Sequence, residues 1–186
     1  MNNDNILVNS IIPTSGWSNI YKLFFLSLLG TFLLAISSKI QVPFWPVPMT
    51  MQTFIVFLIG MMYGWKLATF TLILYLFEGA IGIPVFAKGG GLAYLSGPTA
   101  GYLYGMTVAA GVIGFYSERG FCKSYLNSLL PLVAGTVIIF VFGVSYLGLI
   151  IGFEKAIIAG LLPFILSEFF KIFLAALIVP TIYRIY

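Results

Sequence analysis

Long apolar stretches separated by short polar breaks run along nearly the whole chain. They lie near Ile20–Ser38, Thr50–Tyr63, Trp65–Ile83, Pro98–Tyr116, Leu126–Ile151 and Ala156–Tyr183, and the longer ones match the span of a membrane helix. The pattern predicts an all-α integral membrane protein, a bundle of six transmembrane helices. Residues 20–186 would form one domain behind a polar segment, residues 1–19. The second stretch is short and joined to the third by a tight Gly64-Trp65-Lys66 turn. Gly101, Gly105, Gly111 and Gly114 in the fourth allow a neighbouring backbone to come close. Pro163 predicts a kink in the sixth, because it frees a carbonyl one turn earlier. Short segments of alternating polarity, the mark of a membrane β-barrel, do not occur, and no internal repeat points to an inverted-repeat transporter.

Composition sharpens this picture. Of 186 residues, 61% are hydrophobic and 8% charged, with mean hydropathy +1.09. Soluble domains are about one quarter charged, so a water-soluble globule is excluded. The net charge of +4 comes from nine cations scattered over the loops, with no cluster suited to nucleic acid. Lys22, Lys66, Arg119, Lys123 and Arg184 fall on one side of the predicted spans, and Lys39, Lys88 and Lys155 on the other. That bias places both termini in the cytoplasm of a multi-pass plasma-membrane protein. The first residues lack the basic stretch of a cleaved signal peptide.

Histidine is absent and Cys122 is the one cysteine, which removes zinc and iron–sulfur sites, histidine catalysis and disulfides. No cofactor is expected. Cys122, beside Lys123 in a loop, reads as a free thiol without function.

The candidate chemistry sits in the breaks and in the last span. The link Ser38-Lys-Ile-Gln-Val-Pro-Phe-Trp-Pro-Val-Pro-Met-Thr-Met-Gln-Thr53 carries prolines at 43, 46 and 48. Each proline fixes its own φ and drives the preceding residue towards extended geometry, so the link is stiff and non-helical. Such a piece suits a lid over a binding site, with Phe44 and Trp45 held in place. The second link, Phe86-Ala-Lys88-Gly89-Gly90-Gly91-Leu92-Ala93-Tyr94, reads as a mobile cap on which Tyr94 closes. It lacks the lysine–hydroxyl ending of a phosphate-binding loop, and no ATP site is found elsewhere.

Glu168 and Lys171 lie inside the sixth span at i, i+3, about 60° apart on one helical face. Each charge near the bilayer centre costs roughly 2.5–3.5 kcal/mol, so the pair is either a self-neutralising packing contact or a ligand site. Glu78 stands near the end of the third span, where a charge costs little. Ser27, Thr31 and Ala35 form a small-residue stripe at i, i+4, i+8, which serves internal packing or docks a separate membrane subunit.

Three motifs, Lys39-Ile-Gln-Val-Pro-Phe-Trp-Pro-Val-Pro-Met-Thr-Met-Gln-Thr53, Gly79-Ala-Ile-Gly-Ile-Pro-Val-Phe-Ala87 and Gly97-Pro-Thr-Ala-Gly-Tyr102, resemble the BioY family. These are the biotin-specific substrate-binding (S) components of energy-coupling-factor (ECF) transporters. The resemblance covers nearly the whole chain and implies the S-component fold, biotin capture from outside, and assembly with a transmembrane coupling subunit and ATPases. It implies no enzymatic activity. The chain departs from the family pattern at three places. Ser167-Glu168-Phe-Phe-Lys171 replaces Gly-Asp-x-x-Lys, Glu78 stands where a small or apolar residue is expected, and Ser27, Thr31 and Ala35 keep the spacing but not the composition of Ala-x-x-x-Ala.

Biotin offers a carboxylate, a ureido ring and an apolar thiophane body. In the expected site Lys171 takes the carboxylate, or Glu168 and Lys171 together address opposite polarities of the ligand. Thr50, Gln52 and Thr99 would supply neutral hydrogen bonds, and Trp45, Phe86 and Tyr94 the apolar walls. Ser27, Thr31 and Ala35 are the expected docking residues. The alternatives are an S component for riboflavin or thiamine, and a solitary biotin facilitator working without ATPase subunits. An intramembrane enzyme finds no support in any nucleophile–base arrangement.

Overall fold

The computed structural model describes residues 6–8 and 17–185, with the side chains of 17–19 set aside. The expected polar segment 1–19 therefore lies largely outside the described residues, as does Tyr186. The chain runs through α1 (Trp17–Lys39), β1 (Gln41–Val42), β2 (Met49–Thr50), α2 (Gln52–Ala80), α3 (Ala100–Glu118), α4 (Tyr125–Ile151), α5 (Phe153–Gly160) and α6 (Ile165–Ile185). Short 3-10 turns cover Tyr94–Ser96, Phe121–Lys123 and Leu162–Phe164.

Among the described residues, four helical stretches are long and apolar enough to cross a membrane: Ile20–Lys39, Gln52–Ala80, Tyr125–Ile151 and Phe153–Ile185. A helix satisfies its own backbone, so it can expose apolar side chains to lipid. Phe24, Phe25, Phe32, Phe70, Phe169, Phe170 and Phe173 are all exposed in this way. The helix α3 is less apolar and more deeply enclosed, packed between α2 and α4. Its small residues permit that position: a Cβ on Gly114 would come within 2.5 Å of the Trp65 backbone nitrogen.

Two expected segments, Thr50–Tyr63 and Trp65–Ile83, form one helical run interrupted at Gly64. There φ is +74° and ψ 169°, a conformation that a side chain resists and glycine accepts. The break frees the Met61 carbonyl, which Ser117 Oγ and Tyr183 OH cap, the latter at 3.3 Å. The Trp65 N–H donates to Glu118 Oε1 at 3.2 Å. The expected sixth segment is interrupted more sharply than a kink. Its start forms α5, Pro163 sits in the 3-10 turn, and α6 begins afresh at Ile165.

At the other end of the bundle the stiff link is a small hairpin. β1 pairs antiparallel with β2, with Gln41 opposite Thr50 and Val42 opposite Met49. The loop between them turns Pro46, Val47 and Pro48 inward.

Candidate functional site

The hairpin and the 81–99 connection meet over the ends of α1, α2 and α3. Ser38 Oγ and Tyr75 OH each donate to the Val85 carbonyl at 2.8 Å. Lys39 Nζ donates to the Phe86 carbonyl, and Gln41 Nε2 to the Ala87 carbonyl at 3.4 Å. The extended piece 85–87 is thus held from the side by the end of α1 and the first strand. Gly91 N–H anchors the glycine run to the Gly79 carbonyl at 2.6 Å.

Phe86 points inward and is fully buried. Its ring lies so close to Gly79 that a Cβ there would sit 2.0 Å from Phe86 Cζ. Tyr94 stacks on Phe86 with centroids 4.9 Å apart, and Tyr75 meets the same ring edge-on at 5.4 Å. Beneath this aromatic group lies a cavity lined by Val47, Thr50, Gln52, Phe86, Tyr94, Thr99, Tyr102 and Met106, among others. It leaves about 320 Å³ free of protein atoms, counting its open mouth.

Glu168 and Lys171 do not line this cavity; both are buried behind its lining residue Thr50, at the start of α2. Lys171 Nζ approaches Glu168 Oε1 at 2.7 Å, the Thr50 carbonyl at 2.6 Å and Thr53 Oγ1 at 2.9 Å. Thr53 Oγ1 in turn donates to Glu168 Oε1 at 2.9 Å. The three donors of the ammonium are all occupied within the protein. Among the described residues, three buried side-chain atoms have no hydrogen-bond partner: Glu168 Oε2, Gln52 Nε2 and Gln41 Oε1. Leaving such an atom unpaired costs about 1–3 kcal/mol, so a native chain retains one where something else pairs with it.

Of the expected site residues, Thr50, Gln52, Phe86, Tyr94 and Thr99 line the one cavity. Glu168 and Lys171 join it through the Thr50 carbonyl. Trp45 lies apart, 80% exposed at the hairpin tip. The loop folds back there, so Phe44 lies 6.5 Å from the Phe164 ring, Val47 turns in and Trp45 turns out. Sequence reasoning left out Thr53, Tyr102 and Met106. Tyr102 and Met106 are four apart on α3 and so share a face, a usable signal, but one repeated in every amphipathic turn of the chain.

The small-residue stripe on α1 faces α2. Ser27 and Thr31 are buried and Ala35 is half-buried. Thr31 Oγ1 donates to Glu78 Oε1 at 3.0 Å, and a Cβ on Gly30, between the two, would meet Thr71 Cγ2 at 2.6 Å. The stripe and Glu78 belong to the α1–α2 contact.

Comparison with known proteins agrees with this architecture. The probable biotin transporter BioY of Pyrococcus horikoshii is 39% identical over 147 residues, covering 78% of this chain and 86% of that one. The biotin transporter BioY of Thermotoga maritima is 40% identical over 150 residues, covering 80% and 88%. The crystal structure of an S-component for biotin from an ECF-type ABC transporter superimposes with a TM-score of 0.80 at 24% identity, over 92% of this chain and 95% of that one. At that identity the match establishes the shared fold. The family model described as the BioY family matches residues 13–186, and this chain belongs to the BioY family.

Proposed function

We propose that this chain binds biotin in the cavity under the hairpin and serves as the S component of an ECF-type transporter. The observation that carries the reading is the pair of unsatisfied buried atoms, Gln52 Nε2 and Glu168 Oε2, beside an aromatic cavity closed by two loops. One is a donor and the other an acceptor. The ureido ring of biotin offers the complement, a carbonyl for Gln52 and an N–H for Glu168. Because Lys171 spends its three donors on Thr50, Thr53 and Glu168, it fixes the position of the Glu168 carboxylate and leaves Oε2 open for a donor. The names of the relatives, biotin transporters, support the same ligand.

Residues 20–186 act in this reading as one membrane domain. Counted separately, the two limbs of α2 on either side of Gly64 bring the crossings to six with α1, α3, α4 and the α5–α6 unit. Lys22, Lys66, Arg119, Lys123 and Arg184 then share the cytoplasmic side with both termini, in the plasma membrane, and the cavity opens outward. A coupling subunit and ATPases would supply the energy.

The test is calorimetric titration of the purified protein with biotin, with riboflavin and thiamine as controls. One-to-one binding of biotin alone is expected. Binding of riboflavin or thiamine in place of biotin by folded protein would reject the biotin assignment. Uptake by cells with and without coupling subunits separates an energised carrier from a solitary facilitator.

A further inference from the structure

Outside the lid, at the same end of the bundle, lies a second cleft. It is lined by Trp45, Ile150, Ile151, Lys155, Ile158 and Ala159 and encloses about 920 Å³, open to its surroundings. Its walls come from the hairpin tip, the end of α4 and the short helix α5. None of these residues lines the cavity described above.

Two features point to what the cleft holds. Trp45 is exposed, on a loop whose Pro46, Val47 and Pro48 are buried behind it and whose Phe44 lies 6.5 Å from the Phe164 ring. Tryptophan held outward at the end of a membrane bundle sits at headgroup depth. The helix α5 sets Glu154 and Lys155 among exposed Phe153, Ile157 and Ile158, the arrangement of a helix lying at a membrane surface. The cleft thus combines one exposed cation, one interfacial aromatic ring and a floor of isoleucines. That floor continues into exposed Leu149 and Phe153.

We propose that this cleft binds a phospholipid of the leaflet at the cavity end. Its phosphodiester meets Lys155, its glycerol region lies against Trp45, and one acyl chain runs over Ile150 and Ile158. A small soluble anion has use for the lysine but not for the apolar floor; a lipid uses both. The bound lipid would touch the hairpin on one side and α5 on the other.

Native mass spectrometry of the full chain, titrated with a phosphatidylglycerol, tests this, with octanoate as a soluble carboxylate competitor. One lipid is expected to bind most tightly, its affinity falling roughly fivefold in Lys155→Gln and persisting in Lys155→Arg. Lys66→Gln, at the opposite end, is expected to leave that affinity unchanged, and octanoate to displace nothing. Melting temperatures matching the unsubstituted chain confirm that these surface variants fold. No loss in Lys155→Gln overturns the proposal, and so does an equal loss in Lys66→Gln. Displacement by octanoate overturns it too, assigning the cleft to free carboxylates.

Discussion

Lys171 Nζ holds the backbone carbonyl of Thr50 at 2.6 Å, and Thr50 is the residue paired with Gln41 across the hairpin. A charge buried in the last helix is therefore fastened to the cover of the cavity. The ion pair, the first turn of α2 and the lid form one hydrogen-bonded unit, and a ligand that engages Glu168 is felt at the hairpin.

Removing one member of that unit should be costly in a specific way. Lys171→Met strands Glu168 in a buried position, and a loss of about 3–5 kcal/mol is expected. The double variant Glu168→Gln/Lys171→Met should regain most of that stability but not biotin affinity. Thermal unfolding and titration of the two variants check this; a single variant as stable as the parent would count against it.

Gly79→Ala probes the seat of Phe86. The added methyl would sit 2.0 Å from the ring, forcing Phe86 and the stacked Tyr94 to move. Overpacking of this kind costs about 1–3 kcal/mol, so biotin affinity should fall about tenfold or more. Titration shows the effect, while Gly82→Ala, with no atom near its Cβ position, tests whether the loss is one of space or of backbone geometry.

The stripe on α1 makes a prediction about partners. Ser27→Leu and Thr31→Leu press on α2, so biotin binding and ATP-driven uptake should fall together. Phe24→Ala and Phe32→Ala, on the exposed face of the same helix, should leave binding intact. Loss of uptake with normal binding in Ser27→Leu would instead make the stripe a docking face.

Cys122 should be silent. It is fully buried in the 3-10 turn, and burial pushes its thiol up to about 12, with the Ser117 hydroxyl pulling weakly the other way. At pH 8 almost no thiolate is present. Maleimide should label the denatured chain within minutes and the folded chain hardly at all, as mass spectrometry would show.

Much of this site could be read before folding. Glu168 and Lys171 were marked by charge in an apolar run and by i, i+3 spacing, and they meet at 2.7 Å. Thr50 and Gln52 followed from being polar beside a stiff link. Trp45 did not follow, because stiffness says nothing about side. In a plain strand Trp45 and Val47 would share a face; the turn at the hairpin tip buries one and exposes the other. Thr53 was overlooked because its importance lies in bridging two charges that are distant in sequence. Pro163 alone predicts a kink after α5; with Gly160 three residues earlier, the helix ends and α6 starts afresh.

Ser38 and Lys39 at the end of α1, and Gln41 in the hairpin, hold the second cover at Val85, Phe86 and Ala87. The hairpin thus shares one anchor with the second cover, the Gln41–Ala87 bond, and a movement of either loads that bond. Discrimination in such a carrier lies in how long a bound molecule stays rather than how fast it arrives. A weakly fitting vitamin leaves early, and a well-fitting one stays.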